Sequence, residues 1–174
     1  KNFSLRALSD NFSDEELAEA VSYAHGRGVK VYVTVNIFPK NADMPEAARY
    51  FRFLQNIGAD AVLITDPGFL SLCREVAPFL PVHLSTQANT LNYRAVSFWR
   101  EQGVKRVVLA RELSLSEIAE ISERVPDVEL EAFVHGAMCI SYSGRCLLSN
   151  YFNGRDSNRG ECVQACRWNY ELRE

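Results

Sequence analysis

The sequence predicts an α/β fold in which parallel strands alternate with the helices that cover them. Five short apolar segments are separated by longer segments in which apolar residues recur with helical spacing. Strands that are apolar along their whole length are typical of parallel sheets buried on both faces. A polar side chain follows each of the five predicted strands, at the end where parallel α/β folds bind their ligands.

Local signals predict where the helices begin and end. The segments Ser13–Glu16 and Ser114–Glu117 are capping-box sequences, and Pro45 suits a first helical position. Residues 1–12 show no regular period and are predicted to form a loop. The helices are predicted at residues 14–27, 45–57, 69–79, 94–102 and 115–125, and the strands at residues 30–38, 61–65, 81–85, 105–110 and 128–134.

Two architectures accommodate this alternation, an open doubly wound sheet and a (β/α)8 barrel. The glycine-rich G-x-G-x-x-G turn of dinucleotide-binding sheets is absent from the sequence. A complete barrel takes about 250 residues. The 174 residues of this chain would therefore form a partial barrel, and the lack of an initial Met suggests a piece of a longer protein.

Composition narrows the class of protein. The chain is 47% hydrophobic, enough for one domain with its own core, and its net charge of −3 provides no general attraction for nucleic acid. There is no secretory signal and no long uncharged apolar run, so we expect a cytoplasmic protein with no membrane association. The odd cysteine count of 5 favours thiols and metal ligands over a disulfide framework.

Four of the five cysteines lie in the last part of the chain, at positions 139, 146, 162 and 166. We divide the chain into residues 1–136, the partial barrel, and residues 137–174, a cysteine-rich loop packed at the carboxyl ends of the strands. The spacings C-x6-C and C-x3-C are looser than those of most zinc ribbons, whereas iron–sulfur clusters tolerate irregular spacing. Spacing alone favours an iron–sulfur cluster, with structural zinc next and disulfides or free thiols last. The predicted ligands are Cys139, Cys146, Cys162 and Cys166.

The polar residues at the strand ends are candidates for binding a small polar or polyanionic substrate. The alternative is ordinary turn chemistry, particularly for Asp66 before Pro-Gly. The candidates are Asn36, Asp66, Gln87, Asn89, Arg111 and Glu112. Glu131 lies in the last predicted strand and His135 directly after it, and both are candidate catalytic residues. Glu131 would orient His135, bind substrate, or form a structural ion pair with an arginine.

The last residues form a basic and aromatic tail that suits phosphate contacts and base stacking. Its candidate RNA-binding residues are Arg155, Arg159, Arg167 and Trp168. The charge of this tail alone does not establish RNA binding. Cys73 lies on an apolar helical stripe and is predicted to be a core thiol, and His83 and His25 are predicted to be structural.

Residues 131–139, EAFVHGAMC, and residues 144–149, GRCLLS, resemble the signature of peptidase family U32, the collagenase-like peptidases. The upstream segments NFSLRA, VYVTVN and STQAN also resemble this family, so the likeness covers nearly the whole chain. The resemblance implies a TIM-like barrel whose first strands would precede Lys1. The chain would then be a fragment that is inactive by itself.

Within the family, the tail NRGECVQACRWNYELRE is most similar to the branch that hydroxylates tRNA at the wobble uridine. This resemblance implies a 4Fe–4S cluster held by the four cysteines, with tRNA and a small organic co-substrate such as prephenate as partners. A protein partner or a homo-oligomer is also compatible with it. The chain departs from that branch at Pro39-Lys40-Asn41, where the branch has a histidine.

Two other functions stay open at this point. A peptidase would need a catalytic group, yet the sequence has neither H-E-x-x-H nor G-x-S-x-G, and only Cys139 near His135 suggests a Cys–His pair. A non-catalytic accessory subunit that carries a cluster, as in ubiquinone hydroxylation, is the third hypothesis.

Overall fold

The computed structural model describes residues 3–5, 11–136 and 138–171. Its strands are β1 (Tyr32–Val35), β2 (Ala61–Ile64), β3 (Val82–Leu84), β4 (Arg106–Val108) and β5 (Glu129–Glu131). Its α-helices are α1 (Asp14–His25), α2 (Met44–Asn56), α3 (Pro67–Val76), α4 (Tyr93–Glu101), α5 (Leu115–Arg124) and α6 (Leu148–Asn153). Most of the loop predicted for residues 1–12 lies outside the described residues.

The described strands form one sheet in the order β1-β2-β3-β4-β5, and every neighbouring pair is parallel. One α-helix joins each strand to the next along the chain. A doubly wound sheet would reverse its strand order at a switch point, and this sheet does not. The predicted α/β fold with parallel strands is therefore confirmed, and its sequential order is consistent with part of a (β/α) barrel.

Both predicted capping boxes are formed. The Glu16 backbone N–H donates to Ser13 Oγ at 3.1 Å, and the Ser13 N–H donates back to the Glu16 carboxylate at 2.7 Å. Ser114 and Glu117 make the same exchange at the start of α5. These exchanges pair backbone donors that the first helical turn leaves without partners.

Several elements differ from their predicted bounds by one to a few residues, and two of these differences have a clear local reason. Helix α3 begins at Pro67, two residues before the predicted start, because Asp66 caps it and accepts from the Phe69 N–H at 3.0 Å. Strand β5 ends at Glu131 rather than residue 134. Its partner β4 ends at Val108, which is in register with Glu131, so the ladder of hydrogen bonds stops there.

The hydrophobic core lies between the sheet and its helices. Val35, Ile64 and Val107 point from the strands into this layer, where they meet helix side chains such as Phe51. Burial of each such side chain contributes about 1.5–3 kcal/mol. Cys73 lies in the same layer, and burial raises the pKa of its thiol to about 12. The prediction of a core thiol is confirmed.

The opposite face of the sheet is aromatic and charged. The Tyr32 and His83 rings lie 4.8 Å apart, and Arg106 stands over the Tyr32 ring at 5.2 Å. Arg106 also pairs with Glu129 at 2.6 Å and with Glu131 at 3.3 Å. His83 is thus a buried structural residue, as predicted. Helices long and apolar enough to cross a membrane do not occur in the described ranges.

Candidate functional site

A cavity of about 390 Å³ lies between the carboxyl ends of the strands and the segment that follows β5. We call residues 138–171 the cysteine loop and this space the cysteine cavity. All four cysteines of the loop line it, namely Cys139, Cys146, Cys162 and Cys166. Among the predicted site residues on the strand side, those that line it are Asn36, Gln87, Arg111 and Glu131. The structure therefore brings eight predicted site residues to one cavity.

Glu112 holds the cysteine loop against the end of β4. Its carboxylate accepts from the Ser143 backbone N–H at 2.6 Å and from Ser143 Oγ at 2.7 Å. Burial raises the pKa of Glu112, but these hydrogen bonds outweigh it, and the pKa lies below its ordinary value. Glu112 was predicted to bind substrate. The structure instead uses both of its oxygens to anchor Ser143, a residue with a left-handed φ of 44°.

Arg159 makes a second anchor. Its guanidinium donates one hydrogen bond to each oxygen of the Asp43 carboxylate, at 2.8 and 3.0 Å. It also donates to the Phe38 carbonyl at 2.9 Å. The hydrogen bond from Arg159 is the largest of the effects that lower the pKa of Asp43. The Phe38 N–H also donates to the Asn158 carbonyl. Arg159, predicted to contact RNA, therefore ties the loop to the start of α2.

Hydrogen bonds fix the backbone around Cys146. Its N–H donates to Asn158 Oδ1 at 3.2 Å, and its carbonyl accepts from Ser157 Oγ at 2.6 Å. Its sulfur accepts from the Leu148 N–H at 3.4 Å. Burial raises the pKa of the Cys146 thiol, but hydrogen bonds from Ser141 and its neighbours outweigh burial and lower it. The thiolate, which is the form that binds metals, is thereby favoured at this position.

Thiolates are the donors that both zinc ions and iron–sulfur clusters take from cysteine. In the described part of the chain, no three His, Cys, Asp or Glu side chains are grouped closely enough to hold one metal ion. The four thiols instead line the walls of one cavity. A zinc ion draws its ligands to a common point, with sulfur at about 2.3 Å, whereas an iron–sulfur cluster binds each thiolate at a separate iron. The Cys162 sulfur also accepts from the Gln164 N–H at 3.4 Å, which orients it.

Gln87 and Asn89 lie in the turn after β3. Gln87 is buried, and its backbone carbonyl accepts from Arg145 Nε of the loop at 3.1 Å. Asn89 adopts a left-handed φ of 53°, and its amide donates to the Tyr142 carbonyl at 3.4 Å. Asn89 thus contacts the loop and is not among the residues that line the cysteine cavity.

His135 lies apart from the cysteines. It is exposed and lines a smaller neighbouring cavity of about 160 Å³, together with Arg111 and Phe133. Glu131 pairs with Arg106 and does not orient His135, because its place in β5 puts it beside Arg106 while His135 follows the strand end. The structural ion pair, one of the three predicted roles of Glu131, is the one observed.

Two further predictions are altered by the structure. Cys139 lines the cysteine cavity and His135 the smaller one, and no hydrogen bond joins these two described residues. The Cys–His pair of a peptidase is therefore not formed. Asp66 caps α3, which is the turn chemistry given as its alternative role, and it is not among the residues that line either cavity.

Exposed aromatic rings cluster on the cysteine loop itself. We call Tyr151, Phe152, Trp168 and Tyr170 the aromatic surface. The Phe152 ring lies 5.0 Å from Tyr151 and 5.9 Å from both Trp168 and Tyr170. Tyr151 is 82% exposed and Trp168 is 43% exposed.

Basic side chains accompany these rings. Arg155 follows α6 and Arg167 precedes Trp168, and both are exposed. Sequence reasoning had missed Tyr151 and Phe152. Two adjacent aromatic residues in a six-residue helix were the available signal.

The model of peptidase family U32 matches residues 1–174 of this chain. The chain belongs to peptidase family U32. The family resemblance seen in the sequence is thereby confirmed. The match to a solved structure, the U32 peptidase Mk0906, has a TM-score of 0.58 at 21% identity and covers 69% of this chain and 51% of that one. This likeness concerns the fold alone.

Several relatives of this chain are named for RNA hydroxylation. "tRNA hydroxylation protein P1" of Bacillus subtilis is 51% identical over 99% of this chain, and "tRNA hydroxylation protein P" of Escherichia coli is 49% identical over 99%. The "23S rRNA 5-hydroxycytidine C2501 synthase" of Escherichia coli is 38% identical over 92%. The chain spans 40%, 38% and 24% of the lengths of these three relatives.

Proposed function

We propose that this chain carries the cluster site of an iron–sulfur-dependent RNA hydroxylase that acts on the wobble uridine of tRNA. The observation that carries the proposal is the convergence of four thiols on one cavity at the carboxyl ends of parallel strands. The names of the relatives support RNA hydroxylation as the reaction class. Because the chain spans about two fifths of the first relatives, the activity is proposed for the whole protein.

The sheet is proposed to be part of a TIM-like barrel. Sequential parallel strands, each followed by a covering helix, support this reading. The cysteine loop then occupies the end of the barrel where such enzymes carry their catalytic residues. We expect the reaction in the cytoplasm, where tRNA is available.

Each part of the site has a separate task. Cys139, Cys146, Cys162 and Cys166 would hold a 4Fe–4S cluster, which when bound would supply electron transfer at the cavity. The amide donors to Cys146 and Cys162 would hold those sulfurs in place. Asn36, Gln87 and Arg111 line the opposite wall. A guanidinium suits a carboxylate-bearing co-substrate such as prephenate.

The cluster is tested on full-length protein prepared without oxygen. We expect about four irons and four sulfides per chain, together with a visible absorption band. Cys146→Ser should lower the iron content severalfold, because it removes a ligand whose thiolate the surrounding hydrogen bonds favour. Cys73→Ala is the matched control and should keep the iron, since Cys73 lies in the core on the other side of the sheet.

A colourless protein with zinc at the four cysteines would contradict the cluster. The RNA reaction is tested separately, by mass spectrometry of tRNA from a strain that lacks the gene. The full-length wild-type protein should restore the hydroxylated uridine, and Cys146→Ser should not. Unmodified tRNA in the complemented strain would contradict the proposed substrate.

A further inference from the structure

The side chain of Gln87 combines burial with a carbonyl oxygen that has no hydrogen-bond partner among the described residues. The residue is only 7% exposed and lines the cysteine cavity. Its Oε1 has no hydrogen-bond partner in the described part of the chain. An acceptor buried in this way costs roughly 1–3 kcal/mol. Such a group is expected where a ligand completes the hydrogen bonding, since buried polar atoms in folded proteins nearly always have partners.

Two residues of the cysteine loop lie against Gln87, one at its backbone and one at its side chain. Arg145 donates to the backbone carbonyl of Gln87 and holds the turn against the cysteine loop. Gly144 faces the side chain, and a Cβ at this position would lie 3.1 Å from Gln87 Nε2. Gly144 has a φ of +86°, a conformation that glycine adopts without strain. The lack of a Cβ at Gly144 also leaves room for the Gln87 side chain. The Gln87 turn is therefore held against the cysteine loop, and its side chain lies next to Gly144.

The cavity around Gln87 has apolar as well as polar walls. Its volume of about 390 Å³ falls within the usual range for small-molecule sites, roughly 300–1,000 Å³. Leu63, Val108 and Phe133 contribute apolar wall on the strand side, opposite the cysteines. Enzymes that modify a base hold it outside its stack between apolar or aromatic side chains and read its hydrogen-bonding edge.

We infer that Gln87 reads the pyrimidine base of the RNA inside the cysteine cavity; this rests on the proposed function and names the residue that selects the base. A carboxamide offers one acceptor and one donor side by side. Uracil presents the complementary pair, an N3–H donor next to the O4 acceptor. Both groups of the amide would be used, and the unpartnered Oε1 would gain its donor.

The test measures binding of three RNA stem-loops by cluster-loaded, full-length protein. The RNAs are identical except at the target position, which carries uridine, cytidine or an abasic ribose. The wild type should bind the uridine RNA roughly tenfold to a hundredfold more tightly than the abasic RNA. Gln87→Leu should bring this ratio to about one and leave the abasic affinity unchanged. Gln102→Leu makes the same change directly after α4, outside the cysteine cavity, and should keep the wild-type ratio.

A second variant separates base reading from a folding defect. Gln87→Glu keeps the size of the side chain but can only accept hydrogen bonds when ionised. It should repel the uracil O4, so the preference for the uridine RNA over the abasic RNA should fall. Iron content should be the same in all three variants. Loss of iron in Gln87→Leu would overturn the inference, because Gln87 would then serve the cluster.

Three further results separate base reading by Gln87 from the proposed RNA hydroxylation. If Gln87→Leu keeps the wild-type preference for uridine over the abasic RNA, Gln87 does not read the base, and RNA hydroxylation stands. Equal binding of all three RNAs by the wild type would also overturn base reading at this site. If the wild type binds none of them, the proposed function itself fails.

Discussion

At the scale of single residues, the site depends on groups whose partners lie far away in the sequence. Glu112 and Ser143 are 31 positions apart, and Arg159 and Asp43 are 116 positions apart. The first pair joins the cysteine loop to the end of β4, and the second joins it to the start of α2. The loop is therefore held by charged hydrogen bonds to the rest of the fold, and these are typically stronger than neutral ones.

The Glu112 anchor should depend on pH. Ser143 binds the carboxylate form, so the pKa of Glu112 is lower in the folded protein than in the unfolded chain. The anchor is fully present above the ordinary pKa of 4.5 and is lost as the pH falls through the lowered value. Hydrogen exchange of the amides at 142–145 should accelerate over this acidic range, ahead of global unfolding.

A substitution tests the same anchor at neutral pH. Glu112→Gln should cost about 1–3 kcal/mol of local stability, because one amide oxygen cannot accept both Ser143 donors equally well. Faster exchange of the Ser143 amide is the measurement. Glu120→Gln on α5 is the control, since its exposed pair with Arg124 contributes little. Equal exchange in both variants would refute the anchor.

At the scale of elements, Asp66 illustrates a polar strand-end residue whose task is to begin a helix. Asp66→Ala should lower the free energy of unfolding by about 1 kcal/mol through loss of the α3 cap. Asn92→Ala removes the equivalent cap of α4, where Asn92 accepts from the Ala95 N–H at 2.9 Å, and should cost a similar amount. Thermal unfolding measures both. An Asp66→Ala protein with unchanged stability and weakened substrate binding would restore the substrate-binding prediction.

At the scale of the whole molecule, charge limits how RNA can be held. The chain has a net charge of −3, so no general field attracts a polyanion. Under the proposed function, any RNA affinity of this chain would come from local contacts, for which the aromatic surface with Arg155 and Arg167 is suited. Base stacking on an aromatic side chain contributes roughly 1–3 kcal/mol.

Tyr151→Ala and Trp168→Ala should each weaken binding of a tRNA anticodon stem-loop by the full-length protein, by roughly tenfold. Arg167→Ala should weaken it less and reduce the salt dependence of binding, because it removes a phosphate contact. Phe79→Ala is the control, since Phe79 is 85% exposed but follows α3 on the helical side of the sheet. Unchanged affinity in Tyr151→Ala and Trp168→Ala would assign this surface to another partner.

The sequence by itself determined the features that depend on neighbours along the chain. The capping boxes at Ser13 and Ser114, the alternation of apolar strands with helices, and the core position of Cys73 all follow from local pattern. Local pattern works here because a cap joins residues three positions apart, and because a strand buried on both faces must be apolar throughout.

Only the tertiary structure decided which side chains meet. It assigned Arg159 to Asp43, Glu112 to Ser143 and Glu131 to Arg106, and it left His135 outside the cysteine cavity. Partners of this kind are chosen by packing across the fold, where a shift of one residue at a strand end changes which groups face each other. The buried acceptor of Gln87 has the same origin, because burial and the lack of a partner are properties of the assembled cavity.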